Sequence, residues 1–217
     1  MTAIRGYDNV EIAVREENDF DGLVGIVYPG QGYTLSAPSL FYLHPIFAER
    51  RIHYFGVDLR YGDNMEFMKS DPETRTKWID IDSELIGEYV KKKTKKFKKR
   101  IFIAKSLGTA LLYNQIKGGY VSNGDILIFQ TPIVAFDELQ GLLIAKDIPS
   151  LIVYGTEDPV MLRRSFPRIK TERNVAVLEI ENAGHSFEVG NEIESSIDNL
   201  KRVMTGINDF LGIALAL

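Results

Sequence analysis

The 217-residue chain contains no cysteine. Disulfides, thiolate metal sites and a cysteine nucleophile are therefore excluded, and the absence suits a reducing, cytoplasmic setting. Histidine is scarce, at positions 44, 53 and 185 only, which leaves few groups to carry a proton near neutrality. No apolar run approaches the ~20 residues that span a bilayer, and the apolar tail FLGIALAL is far too short. The opening MTAIRGYDNVEIAV has no basic residues followed by a long apolar stretch, so no signal peptide is visible. A net charge of −4 gives no global reason to expect nucleic acid as a partner. Internal repeats, Pro/Ser-rich linkers, a P-loop and a G-x-G-x-x-G fingerprint are all missing. Asp58, Asp63, Asp80 and Asp82 are too scattered for a metal site, so neither metal nor cofactor is expected.

What the chain does have is apolar material, 45% of its residues, enough for one α/β domain over residues 1–217 with a sizeable core. Short apolar runs recur at Leu23–Tyr28, Ile52–Val57, Ile101–Ala104, Ile126–Phe129, Leu151–Tyr154 and Val175–Ile180. Continuous runs of this kind fit parallel strands buried on both faces. Val10–Arg15 alternates more and reads as an edge strand or half of a hairpin. Helical spacing is predicted over Asp82–Phe97, Gly108–Lys117, Pro159–Ile169 and Ile193–Leu211, and over Ala37–Arg50 with a break or kink at Pro45. Strand–helix alternation predicts a mainly parallel sheet of about seven strands with helices on both faces. Ligands of such sheets bind beyond the carboxyl ends of the strands, so the loops there repay reading first.

Residues 101–112, IFIAKSLGTALL, take a buried strand into Ser106 and at once into a helix. Small residues, Ala104 and Gly108, flank the serine two positions either side. A sharp strand-to-helix turn needs them, because bulky neighbours would collide across it, and the turn exposes Oγ beside a helix N-terminus. Residues 151–160, LIVYGTEDPV, place Glu157 and Asp158 after another strand, where an acid can accept a histidine N–H. His185 follows the last strand behind Gly184, while His44 and His53 sit in helical and apolar runs and read as structural. Taken singly, each feature has a bland alternative: a serine that caps a helix, an Asp-Pro helix start, a loop histidine. Their order is the informative part, since serine, then acid, then histidine is the chain order of one hydrolase scaffold in particular. The glycine-rich turn GIVYPGQGYT after the first run supplies a place for a second oxyanion donor. The backbone N–H groups of Leu107 and Gln31 are the two candidates.

On these residues the chain resembles the α/β-hydrolases from Leu23 to Leu211, and within them the small esterase-like and dienelactone-hydrolase-like members. The resemblance implies Ser106 as nucleophile, His185 as base, Asp158 as the orienting acid, and a small-molecule acyl substrate. Two departures stand out: Ala104 where the elbow usually has glycine, and Pro29-Gly30-Gln31 where the early turn often reads His-Gly. Only Gln130–Asp147 separates two consecutive strands at the place where a cap would be inserted, so no cap domain and an open site are expected. Tyr33, Tyr61, Met65, Phe67 and Trp78 fall in or near loops that could flank it, and Tyr33, Tyr61 and Trp78 are taken as substrate-contacting candidates. Glu157 stays open as the alternative acid. A thioester or amide substrate stays open too, as does a non-catalytic binding protein on the same fold. The run KKKTKKFKKR, Lys91–Arg100, bears on the last of these. Without its eight cations the net charge would be −12, yet a solvated helix end accounts for it better than nucleic acid does.

Overall fold

The computed structural model describes residues 2–17, 19–162, 172 and 174–216. Among these, eight strands form one sheet: β1 (Thr2–Arg5), β2 (Glu11–Glu17), β3 (Leu23–Tyr28), β4 (Ile52–Asp58), β5 (Lys99–Lys105), β6 (Ile126–Gln130), β7 (Ser150–Gly155) and β8 (Val175–Ile180). Their spatial order is β1-β2-β4-β3-β5-β6-β7-β8. β1–β2 and β2–β4 pair antiparallel, and every other neighbouring pair is parallel. The segment read as Val10–Arg15 is the second strand of a hairpin. Its partner β1 is the eighth strand, too short to leave a pattern of its own.

Strand residues alternate between two cores. Ile26, Phe102, Leu127, Phe129 and Ile152 face one side, while Val27, Ile101, Ile103, Ile128 and Val153 face the other. The first side is covered by α4 (Pro72–Lys93), α5 (Leu107–Lys117) and α6 (Phe136–Lys146), through residues such as Ile86, Val90, Leu111, Ile116 and Leu143. The second is covered by α1 (Pro38–Phe41), α2 (Leu43–Glu49) and α8 (Ile193–Ala214), through Leu40, Phe47, Val203, Ile207 and Leu211. Two short helices, α3 (Met65–Lys69) and α7 (Pro159–Leu162), sit in loops at the strand ends. No helix among the described residues is long and apolar enough to cross a membrane.

Two helical segments differ from the spacing. The Ala37–Arg50 segment divides at Tyr42 rather than at Pro45, because Pro45 falls in the first turn of α2, where a missing N–H costs nothing. α4 begins ten residues before Asp82, at a proline whose preceding Asp71 accepts the Thr74 N–H at 2.9 Å. It ends at Lys93 because the chain then turns to hand the Lys98 and Lys99 N–H groups to the Gly22 carbonyl. Residues 163–169 of the segment read as Pro159–Ile169 lie outside the described residues.

The basic run is shared between these elements. Lys91, Lys92 and Lys93 close the last turn of α4, where cations favour the helix dipole. Arg100, within β5, makes a two-pronged pair with the buried Asp125 and lies over the Phe102 ring. The run sits at the amino end of β5, remote from the loops at the carboxyl ends.

Candidate active site

β3 lies between β4 and β5, so the chain runs outward from it in both directions across the sheet. That reversal opens a crevice at the carboxyl ends of β3 and β5, the place where open α/β sheets bind ligands. β3 delivers Pro29-Gly30-Gln31 there, and β5 delivers Ser106.

Ser106 has φ 50° and ψ −117°, a conformation that costs a non-glycine residue about 1–3 kcal/mol. Three bonds hold it: its N–H donates to the Gln130 carbonyl at 3.0 Å, and its carbonyl accepts from the Thr109 N–H at 2.9 Å and the Thr109 hydroxyl at 2.5 Å. The small neighbours have a visible purpose. A Cβ on Gly108 would stand 2.6 Å from the Tyr28 carbonyl oxygen, so the helix start can approach β3 only without one. Ala104 takes the other small position, fully buried in the core. The Ser106 side chain makes no capping bond to α5, which disposes of the view that this serine is there to cap the helix.

Its hydroxyl faces His185 instead. Ser106 Oγ lies 2.8 Å from His185 Nε2, and His185 Nδ1 lies 2.7 Å from Asp158 Oδ2. An ionised carboxylate can only accept, so the ring carries its proton on Nδ1 and leaves Nε2 free to take one from serine. Asp158 is fully buried, and its other oxygen, Oδ1, accepts the Val160 N–H at 2.8 Å. This acid therefore caps α7 with one oxygen and faces the histidine with the other. Glu157, its neighbour, has an exposed side chain. The His185 loop is pinned to the end of β7: the Glu157 N–H donates to the Ala183 carbonyl at 3.0 Å, and the Gly184 N–H closes on the Glu188 carbonyl at 2.8 Å.

Gly30 brings the third loop against the serine, its missing side chain leaving room only 3.0 Å from Ser106 Cβ. Among the described residues neither the Leu107 N–H nor the Gln31 N–H has a hydrogen-bond partner in the protein. The loop has no His-Gly pair, but it is supported another way. The Gln31 carbonyl accepts the Gly62 N–H at 2.6 Å, and the Gln31 amide reaches Met68 Sδ at 2.9 Å.

Of the aromatic candidates, Tyr33 alone adjoins the Gln31 loop at the site, its hydroxyl paired with Ser39 and its phenol pushed up by burial. Tyr61 and Trp78 are packed into the interior, at 2% and 3% exposure. Tyr61 donates to the buried Asp82 at 2.8 Å, and Trp78 packs on Tyr7, so both line a separate pocket of about 230 Å³ on the α4 side. Phe67 is likewise buried there, while Met65 is solvent-exposed. A larger groove of about 540 Å³ adjoins the His185 loop, lined by Pro38, Phe187, Ile193, Ile197 and Leu200. Its lining includes Ser186, one residue beyond His185, but none of the three hydrogen-bonded residues. Lys105, directly before the serine, is the neighbour that spacing does not reveal; a charged residue ending an apolar strand was its only signal.

The sequence matches no family model and no curated protein. Similar solved structures are found, all by shape. The chain is similar to Est1E from Butyrivibrio proteoclasticus, with 13% identity, a TM-score of 0.69, and 100% of this chain and 99% of that one covered. An alpha-beta serine hydrolase homologue from Coxiella burnetii follows at 18% identity and TM-score 0.62, over 95% and 96% of the two chains. Dienelactone hydrolase from Anabaena variabilis matches at 17% identity and TM-score 0.61, over 97% and 94%. The fold is that of the α/β-hydrolases, with no cap domain among the described residues.

Proposed function

We propose that the protein is a serine hydrolase of carboxylic esters, carried by one domain over residues 1–217 and acting on small-molecule acyl substrates. The observation that carries this reading is the unbroken chain from the Ser106 hydroxyl through His185 to the buried Asp158. It starts at a serine held in a strained turn with no capping duty. The esterases among the structures of similar shape agree with it.

Ser106 Oγ attacks the acyl carbon while His185 Nε2 takes its proton. The carbonyl oxygen becomes an oxyanion within reach of the Leu107 and Gln31 N–H groups, where donors fixed in advance stabilise charge as it develops. His185 then returns the proton to the leaving alkoxide, and an acyl-serine remains. Water repeats the sequence on the acyl-enzyme, again with His185 as base, to release the acid and restore Ser106. Asp158 holds the ring in the Nδ1–H tautomer throughout and balances the imidazolium. Thioesters follow the same steps with a better leaving group.

A fluorophosphonate probe tests the reading, because it phosphonylates only an activated serine. Labelling is expected at Ser106 by peptide mapping, absent in Ser106→Ala, and slower by roughly three orders of magnitude or more in His185→Ala. A folded wild-type protein that takes no label and hydrolyses no p-nitrophenyl ester would refute the hydrolase assignment in favour of a binding role.

A further inference from the structure

Lys105 is the last residue of β5, and alternation turns its side chain away from the Ala104 face into the core under α1 and α8. It is completely buried. Its ammonium meets a hydroxyl, a carbonyl and two ring faces rather than a carboxylate. Nζ donates to Thr131 Oγ1 at 2.9 Å and to the His185 backbone carbonyl at 2.8 Å. It also stands 4.8 Å from the centre of the Tyr33 ring and 4.7 Å from that of Phe187. One amine thus touches the loop of Gln31, the end of β6 and the loop of His185.

Burying such a group is costly, and an apolar side chain of the same length would fill the space without that cost. The contacts explain what the cost secures. The imidazole is fixed at its tip by Ser106 and at Nδ1 by Asp158, but its backbone is fixed from below by Lys105. We propose that Lys105 is a positioning residue of the hydrolytic site, holding the His185 carbonyl to Thr131 and so setting the height of the imidazole over Ser106. This inference rests on the hydrolase reading above.

The same burial makes the grip depend on pH. Desolvation lowers the amine from 10.5 to about 7, opposed by the carboxylates of Asp158 and then Glu188. The other titratable groups around it are His185 itself and Tyr33. Below pH 7 the bond to the His185 carbonyl is charge-assisted and strong; above it the neutral amine donates more weakly. Stability follows with a definite sign. Between pH 7 and 10.5 the unfolded chain keeps the lysine proton and the folded one does not, so stability rises with pH through that window. Below pH 7 the burial cost weighs fully on the native state.

Wild type, Lys105→Met and Thr131→Val should be compared from pH 6 to 9 for fluorophosphonate labelling, p-nitrophenyl acetate turnover and thermal unfolding. Lys105→Met is expected to lose about tenfold in kcat with KM within twofold, as misplacement of a reacting group costs rate more than binding. The ratio of wild-type to variant kcat should be greatest below pH 7 and shrink above it. The wild-type Tm should gain on that of the variant by roughly 5 °C as pH rises from 6 to 9. Thr131→Val, which keeps the amine and removes one of its acceptors, should lose less kcat than Lys105→Met and again leave KM alone. A labelled wild type whose Lys105→Met retains full kcat, or whose ratio and Tm difference stay flat with pH, would overturn the role of Lys105 alone. Should Lys105→Met fail to fold, an undiminished kcat in Thr131→Val would overturn it equally. An unlabelled wild type would remove the hydrolase reading, and this inference with it.

Discussion

Asp158→Asn is expected to lower kcat for ester hydrolysis about 10⁴-fold at pH 7, while Glu157→Gln stays within about twofold of wild type. Asp158 has two jobs, and the substitution separates them. Its Oδ1 accepts the Val160 N–H, and an asparagine carbonyl does the same, so α7 keeps its cap. The asparagine NH₂ then points at His185 Nδ1, where the carboxylate oxygen now lies at 2.7 Å. A donor in that place reverses the ring: Nδ1 must accept, the proton moves to Nε2, and Nε2 can no longer take the proton of Ser106. The protein should therefore unfold at a temperature close to that of wild type while its chemistry fails. Steady-state kinetics with a Tm control measure both halves. A loss confined to Glu157→Gln would mean that the acid has been assigned to the wrong neighbour.

Gly155→Ala is expected to cost about 3 kcal/mol and lower Tm by roughly 6–12 °C. Gly155 ends β7 directly beneath the His185 loop, and a Cβ added there would sit 2.1 Å from the Ala183 carbonyl oxygen and 2.7 Å from that of Gly184. Both obstacles are backbone, so no rotamer change can relieve them. The loop has to lift, which breaks the bond from the Glu157 N–H to Ala183 and carries His185 away from Ser106. Labelling at Ser106 should slow along with the loss of stability. Gly141→Ala is the matched control. That glycine lies in α6, exposed, with nothing within 4 Å of its would-be Cβ, so alanine there should stabilise by about 0.5–1 kcal/mol. Thermal unfolding of the two variants side by side checks the sign of each. Equal behaviour would show that the β7 approach is less tight than the geometry makes it.

The parallel half of the sheet was legible because strands buried on both faces are apolar throughout, as in Ile126–Phe129 and Leu151–Tyr154. The loops at their ends could then be read for chemistry. α6 escaped although its buried residues, Phe136, Leu139 and Leu143, are apolar, and the start of α4 escaped because its buried positions are largely polar. The first three turns of α4 present Trp78, Asp82 and Ser83 to the core. Asp82 is satisfied there by the Tyr7 N–H and the Tyr61 hydroxyl. A buried carboxylate at a helical core position interrupts the apolar stripe that reveals a helix. Tyr61 and Trp78 looked like loop aromatics for the same reason: Tyr61 is drawn inward by an aspartate 21 residues further on, and Trp78 by the ring of Tyr7 in the N-terminal hairpin. Lys105 was hidden by its own charge: its place at the end of an apolar strand is a weak signal, shared by a lysine bound for solvent and one destined for a slot between Tyr33 and Phe187. The hydrogen-bonded meeting of Ser106, Asp158 and His185 was anticipated from chain order. The support of Gln31 by Gly62 was not, because it depends on how two loops happen to abut.

The order of the strands also has a kinetic meaning. Ser106 and His185 are 79 residues apart in the chain, and the strands that bring them together, β5 to β8, each pair in parallel with the next. Parallel pairings of this kind close large loops before they return any contact energy, so they form slowly and late. Gln31 lies far upstream of both and arrives on a different strand. A chain that has collapsed, or that has registered only part of its sheet, holds every one of these residues and none of the geometry. Acquisition of the fluorophosphonate label during refolding would thus time the moment at which β3, β5, β7 and β8 are all in register, a clock for assembly built into the chemistry.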